Sequence, residues 1–392
     1  MSRIEQVARV AQGYVQAEMF SGVEWQIVQR GDVISEGRVG YANHAQQTPL
    51  PEGALYRIMS MTKPIVSLLA LQLLEQGRLR LYDMVAQYDE RFAVMMVLDS
   101  QGRIMPAQRA ITIEDLLTHR AGFTYEFIHG CHIAQYYREA EINKDGYRSL
   151  DGMMDALAGL PLAFQPGTAW RYSVSIDVLA HIIERATGET LDTLLKQYIF
   201  DPLGMTDTGF SVAEADQHRV LPMYGASILD AAPALELQPQ VLNELDIETM
   251  YPLNKPDTFR RGGLGLYSTT NDYTKFAQML LTGRNAAGDV VVSRKTLDML
   301  SANRIPADQL PLSIGPNVLA GYGWGLIGRV HLGPGAGMGL SSAGEFGWAG
   351  AATTYFWTDP EEQLTGVVMS QYLGSALPLA DDMRTAVYQA LV

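Results

Sequence analysis

The sequence predicts an α+β protein in which one antiparallel sheet, flanked by helices, is assembled from both chain ends around an inserted, mainly helical domain. Three observations predict it. Strand-like alternation fills "VEWQIVQRGDVISEGRVGYAN" near the start and returns only in the last quarter, in "GYGWGLIGRVHL", "GEFGWAGAATTYFWTD" and "QLTGVVMSQY". Between them the pattern is helical, broken by glycine and proline. Near residue 260 the texture changes again, at the glycine-rich "RRGGLGLYSTTNDYTKFAQMLLTG". The expected division is residues 1–85 with 255–392 for the sheet domain and 86–254 for the inserted one.

Each element follows from local chemistry. "MSRIEQVARVAQGYVQAEMF" has the spacing of an amphipathic helix and lacks the apolar run of a signal peptide. Two apolar runs around Arg30-Gly31-Asp32 read as a hairpin. "MTKPIVSLLALQLLEQ" is apolar almost all round, so it is expected as a buried helix ended by Gly77. "TIEDLLTH", "SIDVLAHIIERATG" and "TLDTLLKQYIFDPLG" follow as helices, the last stopped by Pro202 and Gly204. A final helix is expected near "PLADDMRTAVYQAL".

Composition narrows the function. The 392 residues are 47% hydrophobic and 18% charged, ample for a sizeable core. A net charge of −14 and the lack of a basic run argue against nucleic acid as a partner. No apolar run approaches the ~20 residues needed to span a bilayer, so no membrane partner is expected. The lone cysteine, Cys131, excludes an internal disulfide framework and fits a reducing compartment, with the cytoplasm as the expectation.

The chemistry begins at "YRIMSMTKPIV", residues 56–66. Residues i and i+3 share a helix face, so Ser60 and Lys63 become neighbours if a helix starts near Ser60. Pro64 supports that start, since proline is tolerated in a first turn. A serine there sits in the positive end of the helix dipole, and a buried Lys63 with a lowered pKa could handle its proton. A helix cap beside a solvated lysine is the plainer alternative. Against it, this is the only Ser-x-x-Lys in the chain, and the helix it opens has no wide polar face.

"SMTK" opening an apolar helix resembles the first motif of the serine β-lactamase and penicillin-binding superfamily. "ITIEDLLTHRAGF", the nearly fifty residues of "FQPGTAWRYSVSIDVLAHIIERATGETLDTLLKQYIFDPLGMTDTGF" and "GEFGWAGAATTYFWTDP" follow in the expected order. Together they are similar to the branch holding class C β-lactamases and family VIII carboxylesterases, over about residues 25–375. The resemblance implies a β-lactamase/DD-peptidase-like fold and a catalytic set of Ser60, Lys63 and Tyr172. It also implies an oxyanion hole of the Ser60 and Ala351 backbone N–H groups. Free tyrosine titrates near 10, so Tyr172 is expected to need a cationic Lys63 to lower it.

Two departures shape the substrate. Val174 stands where the lactamases have asparagine, and Trp348-Ala349-Gly350 where they have Lys-Thr-Gly. The site loses an amide and a cation and gains an aromatic wall. Trp348 and Gly350 are therefore expected to bind substrate, Gly350 by allowing close approach to its strand. Tyr125 in the loop after His119 is a further candidate contact. The expected reaction is hydrolysis of a small, neutral, short-chain ester through an acyl-enzyme, with no metal or organic cofactor. A β-lactamase, a D-amino-acid peptidase or amidase, an acyltransferase and a non-catalytic scaffold are the alternatives. "GWGLIG" matches a dinucleotide motif without its βαβ setting, and His129, Cys131 and His132 lack a second ligand pair for zinc. His119 resembles a structural histidine of the family. The sequence leaves oligomeric state open.

Overall fold

The computed structural model describes residues 2–143, 146–225, 242–253, 259–337 and 339–392. The expected domain boundary at 254/255 lies outside the described residues. Eight strands form one antiparallel sheet: β1 (Gly22–Gln29), β2 (Asp32–Asn43), β3 (Thr48–Pro49), β4 (Tyr322–Trp324), β5 (Arg329–His331), β6 (Phe346–Gly350), β7 (Thr354–Asp359) and β8 (Leu364–Met369). Their order is β4-β5-β6-β7-β8-β1-β2-β3, so the seam between the two chain ends is the β8–β1 pair, with Trp25 opposite Val368. The β1–β2 hairpin turns on Arg30 and Gly31, both at positive φ, as a two-residue turn matched to strand twist requires. "GWGLIG" belongs to the β4–β5 edge hairpin and not to a phosphate loop.

The period-2 alternation decides what each face of the sheet buries. Val23, Trp25 and Ile27 of β1, with Tyr355, Trp357 and Val368, pack under helices α1 (Glu5–Gln16) and the C-terminal Leu379–Tyr388. Phe346, Trp348, Phe356, Val367 and Met369 point the other way, into the larger core shared with the helical region. That core is built round α2 (Thr62–Glu75), whose residues 62–73 are all buried, as its all-round apolar sequence anticipates. Gly77, at φ 72°, follows its end.

The middle of the chain is not purely helical. Besides α3 (Ser175–Thr187) and shorter helices, it holds a hairpin of Met96–Leu98 with Ile104–Pro106. It also supplies Met223–Gly225, which pairs in parallel with Tyr372–Leu373 from the C-terminal quarter. These short pairings carry too few residues for an alternation to be read. α4 (Thr270–Thr282), capped by the Thr269 side chain, lays Tyr273 and Phe276 on Phe356.

Close packing at the sheet centre yields a stability test. A Cβ built on Gly366 of β8 would overlap the Trp357 ring, which lies over it from the neighbouring strand. Gly366→Ala should destabilise by about 2 kcal/mol, the usual cost of overpacking a filled core. Urea denaturation would check this, with an unchanged midpoint as the contrary result.

Candidate active site

Ser60 sits in a single 3-10 turn, Met59–Met61, and α2 begins two residues later than Ser60, at Thr62. Pro64 is the third residue of α2, where its missing N–H costs no intrahelical bond. Met59 is forced to φ 48°, a conformation that side chains other than glycine seldom adopt. The turn is pinned from several sides. The Ile58 N–H donates to Leu266 O (3.1 Å), the Thr354 hydroxyl to Ile58 O (3.2 Å) and the Tyr273 hydroxyl to Met61 O (2.8 Å). Strain held by such over-determined surroundings is a feature of functional sites.

Lys63 lies one turn on, with Nζ 3.0 Å from Ser60 Oγ and 2.6 Å from the Gly263 carbonyl oxygen. Its side chain is 2% exposed. Burial drives its pKa down to about 7, against a smaller upward pull from the Asp177 carboxylate. Ser60 itself is only partly buried, so its hydroxyl is reachable while the Lys63 amine is not.

Tyr172 completes the triplet. Its ring centroid is 4.7 Å from Lys63 Nζ, and its hydroxyl is acted on by the Ser60 side chain. The expectation that Lys63 would lower the Tyr172 pKa is overturned. Burial among Trp324, Trp348 and His119 pushes it up, outweighing the hydrogen bonds from Ser60 and Trp348. The group that titrates near pH 7, and so can give up and accept a proton there, is the amine, while the phenol keeps its proton.

The third-motif residues are also placed. The Trp348 indole N–H donates to Tyr172 Oη at 3.0 Å, and Trp348 is buried. Gly350 is required by its own scaffold: a Cβ there would collide with the Ile58 carbonyl and the Thr354 hydroxyl. Ala351 is exposed in the turn that follows β6. Neither the Ala351 N–H nor the Ser60 N–H has a hydrogen-bond partner among the described residues, leaving two donors available at the Ser60 turn and the adjoining hairpin. Tyr125 is 2% exposed and lies behind Lys63, 5.2 Å from ring centroid to Nζ, with its hydroxyl unpartnered. Val174 is fully buried at the start of α3.

Sequence reasoning missed Asp177, and it named His119 only as a structural histidine of the family. Asp177, in the first turn of α3, accepts from the Gly263 N–H (2.9 Å), and Gly263 presents its carbonyl to Lys63. An acidic residue in a first turn is ordinary helix-start chemistry, so nothing marked it. His119 is buried with Nδ1 3.2 Å from Ser173 Oγ, and burial followed by the Lys63 charge holds its pKa well below the usual range. Among the described residues no group of three or more metal-ligating side chains forms, and His132 is turned to the Leu98 carbonyl.

An antiparallel sheet with helices on both faces and a serine–lysine–tyrosine cluster beside the end of a central strand defines the serine-reactive penicillin-recognising class of fold. The Beta-lactamase family profile matches residues 7–390, and the chain belongs to that family. Protein Rv1367c of Mycobacterium tuberculosis (strain ATCC 25618 / H37Rv) is 32% identical over 364 residues, covering 91% of this chain and 87% of the relative. Esterase EstB of Burkholderia gladioli is 27% identical over 382 residues, covering 92% and 89%. The solved structure of EstCE1, described as a hydrolase with promiscuous acyltransferase activity, superposes with a TM-score of 0.82 at 23% identity, covering 98% of each chain. No described helix is long and apolar enough to cross a membrane.

Since only neutral Lys63 can accept the Ser60 proton, labelling of Ser60 by a fluorophosphonate should accelerate as pH rises through about 7 and level off above it. Mass spectrometry of the Ser60 peptide across about pH 5–9 checks this. A flat profile would remove Lys63 from the role.

Proposed function

We propose that the chain is a serine carboxylesterase acting on short-chain, neutral esters through an acyl-enzyme on Ser60. The observation that carries this reading is the buried Lys63 amine 3.0 Å from Ser60 Oγ. Lys63 Nζ takes the Ser60 proton as Oγ bonds to the ester carbonyl carbon. The tetrahedral oxyanion is met by the Ser60 and Ala351 N–H groups, each worth roughly 3 kcal/mol to such an intermediate. The C–O bond to the alcohol then breaks, and the proton returns from Lys63 through the neutral Tyr172 hydroxyl to the leaving oxygen. Water attacks the acyl-enzyme by the same route, giving its proton to Lys63 and restoring Ser60.

The neutral-ester preference rests on what faces Tyr172. Trp348 supplies an uncharged N–H where the lactamases place a lysine, and Val174 supplies no amide. An anionic lactam therefore lacks its counter-charge, while an ester needs none. Esterase EstB supports ester chemistry. The single cysteine supports a reducing compartment such as the cytoplasm.

Ser60→Ala should lower hydrolysis of p-nitrophenyl butyrate by at least about 10⁴-fold while the far-ultraviolet circular dichroism stays unchanged. Near-wild-type turnover in that variant overturns the assignment. A companion assay compares nitrocefin with the butyrate ester in the wild-type enzyme. The ester is expected to win by about 10³-fold or more in kcat/KM, as befits a charge with no partner in the site. A nitrocefin rate equal to the ester rate would favour a β-lactamase instead.

A further inference from the structure

The proton-handling cluster contains a buried acid that the acyl-transfer scheme above does not use. Asp177 has no exposed surface, and one carboxylate oxygen accepts the Gly263 N–H at 2.9 Å. The other oxygen has no hydrogen-bond partner among the described residues. It lies against the Cα of Gly263, where a Cβ would overlap it, and the unpartnered Tyr125 hydroxyl is 3.1 Å from the same Cβ position. A carboxylate with half its acceptors unmet is costly inside a protein unless a nearby cation compensates it.

Among the described residues Lys63 is the lysine of this cluster, and it meets Asp177 through one residue, Gly263, by way of the two peptide groups that flank its Cα. The Gly263 N–H is held by Asp177, and the Gly263 carbonyl, across the same residue, holds Lys63 Nζ at 2.6 Å. The neighbouring Gly262 permits this approach, since a Cβ there would strike Ala180 of α3. We propose that Asp177 is a positioning residue for proton transfer, anchoring Gly263 by its N–H so that the Gly263 carbonyl holds the Lys63 amine against Ser60, and keeping a negative charge beside that amine. The inference rests on the esterase reading and adds to it the residue that sets when the amine is free to act.

The other groups facing this pair come from every packed element. His119 follows the helix Ile113–Leu117, Tyr125 lies in the loop after it, Tyr172 precedes α3, and Arg261 acts on Asp177 from the glycine turn. Burial keeps His119, Tyr125 and Tyr172 uncharged near neutrality. Burial pushes the Asp177 carboxyl up, while the Lys63 charge, the Gly263 N–H and Arg261 pull it back down, and it is the one carboxylate that acts on Lys63 in this cluster.

Three variants test the role by kcat/KM against pH on p-nitrophenyl butyrate. Asp177→Asn keeps an acceptor for Gly263 and removes only charge. It should move the acidic limb to lower pH by about 1 unit, because an amine without its anion sheds its proton more readily. Asp177→Ala removes clamp and charge, and should also lower the plateau kcat at least about tenfold with little change in KM. Gly263→Ala, whose Cβ displaces the carboxylate from the opposite side, should reproduce that plateau loss. An unmoved limb in Asp177→Asn, or an unaltered plateau in Asp177→Ala or Gly263→Ala, overturns the proposal. So does failure of all three to fold by circular dichroism, which would make Asp177 a purely structural residue. Activity surviving in Ser60→Ala would reject the esterase reading itself, whereas its loss there with an unmoved limb in Asp177→Asn rejects this inference alone.

Discussion

The site depends on a lysine amine placed where water cannot reach it and a serine can. Lys63 is 2% exposed, and its Nζ is shared between Ser60 Oγ and the Gly263 carbonyl. In water an amine titrates near 10.4 and is protonated at pH 7, so it could accept nothing. Removing solvation brings the pKa to about 7, and the carbonyl keeps the nitrogen in place whichever protonation state it holds. The apolar sequence of α2 is the cause: with residues 62–73 buried, the helix has no wet face to which the amine could escape.

That burial is useful only if the serine stays accessible, and the sheet arranges it. The β6–β7 hairpin presses its Gly350 end on the carbonyl of Ile58, and Thr354 hydrogen-bonds the same oxygen. The nucleophile turn is thus clamped between the sheet and the segment ending at Leu266, with Met59 strained at φ 48°. The two N–H donors, at Ser60 and Ala351, belong to the two halves of this contact. Strands far apart in sequence must pair before the turn is complete, which ties the site to the closure of the whole sheet through β8 and β1.

Much of this was legible because it is local. Ser60 and Lys63 are three residues apart, and helical periodicity alone brings them together. The β1–β2 hairpin announces itself at Arg30-Gly31, and the C-terminal strands by their alternation. What was not legible depends on convergence over long separations. Tyr172 was expected to ionise, but its burial is created by Trp324 and Trp348, more than 150 residues downstream. Asp177 was not singled out, because its partner is the backbone N–H of Gly263, which has no side chain to betray it. Gly350 was read as room for substrate, whereas its bare Cα is occupied by the nucleophile's own backbone. The strand Met223–Gly225 escaped notice because three residues cannot show a period.

Replacing the third-motif lysine by tryptophan changes more than the lining of a pocket. A lysine near Tyr172 would bring a second cation into a cluster that already holds Lys63, and like charges there would disfavour protonation of both. An indole N–H instead supplies a neutral donor, fixed by a rigid ring on β6, which occupies a lone pair of the Tyr172 oxygen at 3.0 Å. With that lone pair taken, the phenolic proton is directed away from Trp348. The substitution therefore orients the relay without adding charge. Asp177 then acts on Lys63 through Gly263, with Arg261 as a second cation acting on the same carboxylate. On the ester reading proposed above, an anionic reactant would compete with Asp177 for the same amine, and a neutral one would not.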